Sequence, residues 1–190
     1  MDIMQAIKER RSCRQFLQEP VPEELVEKIL EAATWAPSPL NLQPWEFVVI
    51  TSQEVKEAIY AEAERCRQQT MEVSGWKWLE GYSPAFVKTA PVIVAVVGNP
   101  QKTGADMFQE NGSRAYEHAC AAAVQNMLLA AKDLGLDSLW FTFYERTQLA
   151  AILEIEVDKT PVALVCLGRS AVDLPPVPRK GFAAKTRYIR

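Results

Sequence analysis

Two uninterrupted apolar runs, PVIVAVVG at 91–98 and PVALVCLG at 161–168, constrain this chain more than any other feature of it. Each has the length of a strand and no polar face, the pattern of a strand covered on both sides. SLWFTFY at 138–144 is an aromatic and β-branched run of the same kind, and EFVVIT at 46–51, entered after Pro37, Pro39 and Pro44 break a helical pattern, reads as a buried strand. These four segments are expected to form one sheet. Helices are expected around it. Asp2 can cap a first helix with Ile3, Met4 and Ile7 on one side, and Pro22 opens a second with Leu25, Ile29 and Ala33 in register. A third is expected from about Gln53 to Arg67. The longest pattern, Ser113 to Leu134, sets Ala119, Ala122, Ala123, Met127 and Ala130 on or near one stripe and ends at Gly135 as a cap. Helices and strands mix without strict βαβ alternation, which predicts an α+β class. Residues 1–174 read as a single domain. The tail, 175–190, holds Pro175, Pro176 and Pro178 and should run extended.

Composition narrows what such a domain can do. A length of 190 residues with 48% hydrophobic content supports one self-sufficient core. The net charge of −3 argues against nucleic-acid binding, since neutralising phosphates along a duplex needs a net basic face. No apolar stretch approaches the length of a bilayer span, and the charged opening MDIMQAIKERRS has no secretory pattern, so a cytoplasmic protein without a membrane role is expected. Cys13, Cys66, Cys120 and Cys166 are too scattered for a C-x-x-C pair or a metal knuckle and read as reduced, idle thiols. The single histidine, His118, removes Ser-His and Cys-His nucleophile designs and most zinc sites. A catalyst built on this chain would draw its chemistry from a cofactor.

Two segments carry polar groups in arrangements that suit one. In RRSCRQF, residues 10–16, Arg10, Arg11 and Arg14 offer guanidinium forks matched to phosphate oxygens, and the Ser12 hydroxyl can complete the cradle. Alone, this segment is equally a solvated basic loop. In APSPLNLQPW, residues 36–45, Pro37 and Pro39 stiffen a loop from which Ser38, Asn41 and Gln43 present hydroxyl and amide groups, as the rim of a flat heteroaromatic ring requires. Alone, it is equally a helix-to-strand turn with Trp45 in the core.

Taken together, RRSxRxF followed by A-P-S-x-x-N-x-Q-P-W-x-F resembles the N-terminal signature of the nitroreductase family of flavoproteins. NMLLAAKDLGL (126–136), PVALVCLG (161–168) and PRK (178–180) extend the resemblance along nearly the whole chain. It implies a helix-flanked, mixed and mainly antiparallel sheet in an intertwined homodimer, with FMN held between subunits and the tail crossing to the partner. Arg10, Arg11, Ser12 and Arg14 would take the phosphate and flavin edge. Pro37, Ser38, Pro39, Asn41 and Gln43 would come from the other subunit, and Arg179 or Lys180 would return to the phosphate. The implied activity is hydride transfer from NAD(P)H to nitroaromatic, quinone or similar small electron-poor acceptors. A specialised dehalogenase or ring oxidase, or a flavin-binding protein without turnover, is the alternative.

One departure from the family pattern bears on catalysis. Thr142 and Phe143 stand where the family often carries Glu-Gly or Gly-Gly, with a backbone N–H facing flavin N5. The Phe143 N–H is the expected contact. Strand alternation puts Phe141 and Phe143 on one face, so the Phe143 ring is expected beside Phe141 and away from the flavin. Trp76, Trp78, Tyr82 and Phe86 could roof the flavin or form a satellite core.

Overall fold

The computed structural model describes residues 1–110, 112 and 114–190. Its strands are β1 (Trp45–Ile50), β2 (Val92–Gly98), β3 (Asp137–Phe141) and β4 (Thr160–Gly168). They form one sheet in the order β1-β2-β4-β3, and every pairing between them is antiparallel. A single parallel bridge, Ser12 to Ser138, adds the segment after the first helix to the β3 edge.

The two apolar runs are the central strands, and alternation within them explains why neither has a polar face. Val92, Val94 and Val96 of β2, with Val165 and Leu167 of β4, point into one core. Ile93 and Ala95, with Leu164 and Cys166, point into a second core on the opposite side. The first core is closed by α2 (Glu23–Thr34) and α5 (Ala115–Asp133) through Ile29, Ala33, Ala123 and Met127. The second is closed by α3 (Gln53–Ser74), α4 (Phe86–Thr89) and α6 (Arg146–Ile152) through Ile59, Phe86 and Leu149. The sheet is therefore sandwiched between helical layers, and each central strand is buried on both faces.

Helix ends follow their capping chemistry, with two differences from expectation. Asp2 caps α1 (Ile3–Glu9) by accepting from the Gln5 N–H at 2.9 Å. Gly135 follows the last residues of α5 in the left-handed region at φ +75°, as a helix terminator should. The expected start of this helix at Ser113 lies outside the described residues. α3 runs to Ser74 rather than stopping near Arg67, because no breaker intervenes before Gly75. Gly75 ends it at φ +66°, its N–H bonded to Met71 O. The second difference concerns β3. It ends at Phe141, and the chain turns off toward α6 with the Glu145 N–H donating to Glu62 Oε1 at 3.0 Å. Thr142 and Phe143 consequently sit in a loop beyond the strand.

Ile3, Met4 and Ile7 share a side of α1 as expected, yet all are exposed, as is Trp35 nearby. The tail from Pro175 onward is exposed throughout. It is extended apart from a short turn at Phe182–Lys185, and the Arg11 Nε donates to Pro175 O at 3.1 Å.

Candidate functional site

Backbone pairing sets the geometry of residues 10–16. The Cys13 N–H donates to Ser138 O at 3.0 Å, the Leu17 N–H donates to Arg169 O at 2.9 Å, and Phe16 bridges Ser170. Cys13 and Phe16 point inward as buried pins, which turns Ser12 and Arg14 outward along the β3 edge. Arg10 is half-buried. Its pKa lies below the usual arginine value, first because burial disfavours the charge and then because Arg179 and Arg11 stand close by. Arg10 and Arg179 are thus brought together from opposite ends of the chain. Arg11 is directed elsewhere, donating to Lys8 O at 2.6 Å, Arg10 O at 2.8 Å and Pro175 O, so its guanidinium fastens the loop to the tail. Among the described residues, Arg10, Arg11, Arg14 and Arg179 form no ion pair with a carboxylate. Lys180 is exposed on the tail.

The 36–45 loop is equally specific. Trp45 is buried in the core beneath it, as the packing reading of this segment expects. Above Trp45, Leu40, Asn41 and Gln43 adopt positive φ values of 49°, 56° and 46°. Such conformations cost non-glycine residues about 1–2 kcal/mol each and persist only where surroundings enforce them. Here the Gln43 N–H donates to Ser38 Oγ at 3.0 Å and the Asn41 N–H to Ser38 O at 3.1 Å. Pro39 presses on Gly104, where a side-chain carbon would stand 2.8 Å from Pro39 Cβ. The loop leads into β1, whereas residues 10–16 border β3 at the other edge. Three strand spacings separate these edges, about 14 Å. One chain therefore leaves Ser38, Asn41 and Gln43 apart from Arg10, Ser12 and Arg14.

Arg14 and the Thr142–Phe143 pair do meet. They line a cavity of about 480 Å³ between the end of α3, the turn after it and the end of β3, together with Thr70, Trp76, Trp78, Tyr82 and Trp140. A smaller neighbour of about 290 Å³ shares Thr70, Thr142 and Phe143 with it. No acceptor among the described residues takes the backbone N–H of Thr142 or Phe143, leaving both available to a ligand. The Phe143 ring packs against the core that holds Phe141, as expected, but it also reaches the cavity lining. It pairs with Tyr82 at 6.1 Å between centroids, while Phe141 pairs with Phe86 at 5.2 Å and with Tyr144 at 6.1 Å. Alternation stops where the strand stops, so Phe143 follows the loop to the cavity wall.

The aromatic segment divides between core and cavity wall. Phe86 is core, while Trp76 and Trp78 stand exposed over the cavity and Tyr82 joins them to Phe143. Burial pushes the Tyr82 phenol above its ordinary pKa, against the opposing pull of Arg14, so it stays neutral. Sequence reasoning missed Thr70 and Trp140 at this cavity. Gly75 as the true stop of α3 was the available signal for Thr70. All four cysteines are free and buried. Burial raises each thiol, Cys66 to about 11 and Cys120 and Cys166 to about 12, which suits inert packing groups.

Residues 7–169 match the Nitroreductase family. This chain belongs to the nitroreductase family. A nominal NADH dehydrogenase/NAD(P)H nitroreductase of Methanothermobacter thermautotrophicus is 33% identical over 90% of this chain and 78% of its own length. An iodotyrosine deiodinase of Haliscomenobacter hydrossis is 30% identical over 92% of this chain and 83% of its own. Among solved structures, a nitroreductase with bound FMN from Desulfitobacterium hafniense superposes with a TM-score of 0.79 at 23% identity, covering 100% of both chains. The α+β architecture deduced from the strand runs is that of this nitroreductase-family fold. No helix among the described residues is long and apolar enough to cross a membrane.

Proposed function

We propose that this member of the nitroreductase family is a homodimeric FMN oxidoreductase that carries hydride equivalents from NAD(P)H to small electron-poor acceptors such as nitroaromatics and quinones. One observation carries the reading. In a chain of net charge −3, Arg10 and Arg179 stand close together and Arg14 lies further along, at the cavity, and none of the three is paired with a carboxylate among the described residues. Unpaired guanidiniums placed this way offer an anion charge-assisted hydrogen bonds that no carboxylate of the chain takes. A phosphate fits Arg10 and Arg179, and an extended backbone carries Arg14 about 13 Å further to the cavity, where a flat ring can lie.

The remaining residues divide the work of holding and shielding that ring. Arg14 supplies positive charge at its edge, and the free N–H groups of Thr142 and Phe143 offer donors at the reacting edge. Ser38, Asn41 and Gln43 reach the ring from the second subunit, because the sheet separates them from Arg14 within their own chain. The tail brings Arg179 and Lys180 to the phosphate. The exposed apolar faces of α1 and Trp35 and the exposed tail become subunit contacts. Bound FMN supplies two-electron acceptance and donation, for which neither a catalytic histidine nor a reactive thiol is needed.

The test begins with the purified protein. It should be yellow, release FMN on denaturation and bleach anaerobically with NADH or NADPH. Release of FAD, or of no flavin, overturns the cofactor assignment. Flavin that resists both nucleotides assigns the protein to flavin binding without NAD(P)H turnover.

A further inference from the structure

Trp76 and Trp78 are 56% and 59% exposed although they belong to an ordered aromatic series. Trp76 to Trp78 is 6.1 Å between centroids, Trp78 to Tyr82 is 5.7 Å at 74°, and Tyr82 to Phe143 is 6.1 Å. These spacings are those of mutually supporting aromatic rings. Gly75 ends α3 in the left-handed conformation, and the short turn at Lys77–Gly81 then holds both indoles over the 480 Å³ cavity. Trp140 lies in the same lining, so the cavity takes three of the chain's five tryptophans. Indole surface in this quantity, fixed in position but open to solvent, is suited to cover a ring that arrives from outside.

Charge around the cavity is one-sided. Its lining contains a single formal charge, the Arg14 guanidinium, and no carboxylate. Glu64, which influences Tyr82, is paired with Arg67 at 2.7 Å and is turned to that partner. A ligand carrying an ammonium group and no carboxylate would thus meet the like charge of Arg14 and gain no counter-charge, whereas a neutral ring meets no such penalty.

We propose that Trp76 and Trp78 are the acceptor-selecting residues of this enzyme, taking planar aromatic or quinoid rings by stacking, in a cavity whose single charge, Arg14, turns away rings that carry a cationic substituent. The inference rests on the cavity being the ring side of the FMN site.

A matched ligand pair tests it on the oxidised holoenzyme, by equilibrium titration of flavin absorbance and tryptophan fluorescence. 4-Nitrotoluene and 4-nitrobenzylamine share a ring and differ in the ammonium group. The first is expected to bind at least about tenfold more tightly. Trp78→Ala should retain FMN and dimer but bind 4-nitrotoluene about tenfold more weakly, the upper range of one aromatic contact. Trp78→Phe should recover most of that loss. Equal binding of the two ligands, or unchanged binding in Trp78→Ala, overturns the proposal while FMN content shows the cofactor site intact. A Trp78→Ala protein that sediments as monomer would make Trp78 a subunit contact and overturn it as well. Absence of FMN from the native protein would fail the cofactor reading itself.

Discussion

The carboxylate of Glu62, buried on α3, accepts the backbone N–H of Glu145 at 3.0 Å and so ties that helix to the loop that carries Thr142 and Phe143. The same carboxylate takes Arg65 Nε at 2.7 Å and the Cys66 thiol at 3.1 Å. Arg65 first, with the Glu145 N–H and Cys66 assisting against the cost of burial, depresses its pKa to about 2. A carboxylate whose folded pKa lies below its unfolded value near 4.5 stabilises the fold fully above that value. The contribution is lost as pH falls toward 2. Glu62→Gln should therefore cost about 2 kcal/mol near neutrality, discounted for the solvent screening of half-exposed Arg65. Urea midpoints of the two proteins should draw together from about pH 5 and meet only near pH 2. A gap that stays constant with pH would show that the charge of Glu62 contributes nothing.

Arg14 joins the cation cluster to the cavity. Arg14→Ala is expected to weaken FMN retention by about 1.5–3 kcal/mol, the worth of a hydrogen bond to a charged group. Flavin released on dilution, followed by fluorescence, gives the loss directly. Unchanged retention would place Arg14 on the solvated surface.

The proposed dimer gives the tail two separable duties. Deleting residues 175–190 should shift the protein toward monomer in light scattering and strip its flavin, because this segment finds no burial on its own subunit. Arg179→Ala should leave the dimer intact and lower flavin content alone. A flavin-loaded monomer after deletion would refute both assignments.

Phe143 separates two cavities, so its ring governs how much room an acceptor has. Phe143→Gly should join them and admit bulkier quinones, with kcat/KM rising for large acceptors relative to small ones. Loss of the half-buried ring and its contact with Tyr82 should destabilise the fold by about 2 kcal/mol, less than the 3–5 kcal/mol of a fully buried phenylalanine. An unchanged acceptor range would mean that the ring does not limit access.

How much of this was readable beforehand depended on the range of the interaction. Apolar runs without polar interruption announced β2 and β4 because strands covered on both faces need that pattern wherever they occur. Asp2, Gly135 and the loop character of 10–16 and 36–45 were legible for the same reason: caps and turn residues act through local chemistry that one stretch of chain displays. Placement was not local. That Arg10 meets Arg179, that Arg11 binds the tail backbone, and that β3 stops at Phe141 so that Phe143 turns to Tyr82 follow from the sheet order β1-β2-β4-β3 and from the Glu62 anchor. The same order sets the 36–45 loop and Arg14 at opposite edges of the sheet. Periodicity describes which face a residue shares with its neighbours in sequence. Which distant residue fills the space opposite is settled only when the layers pack, because that choice depends on the summed shape of segments far apart in the chain.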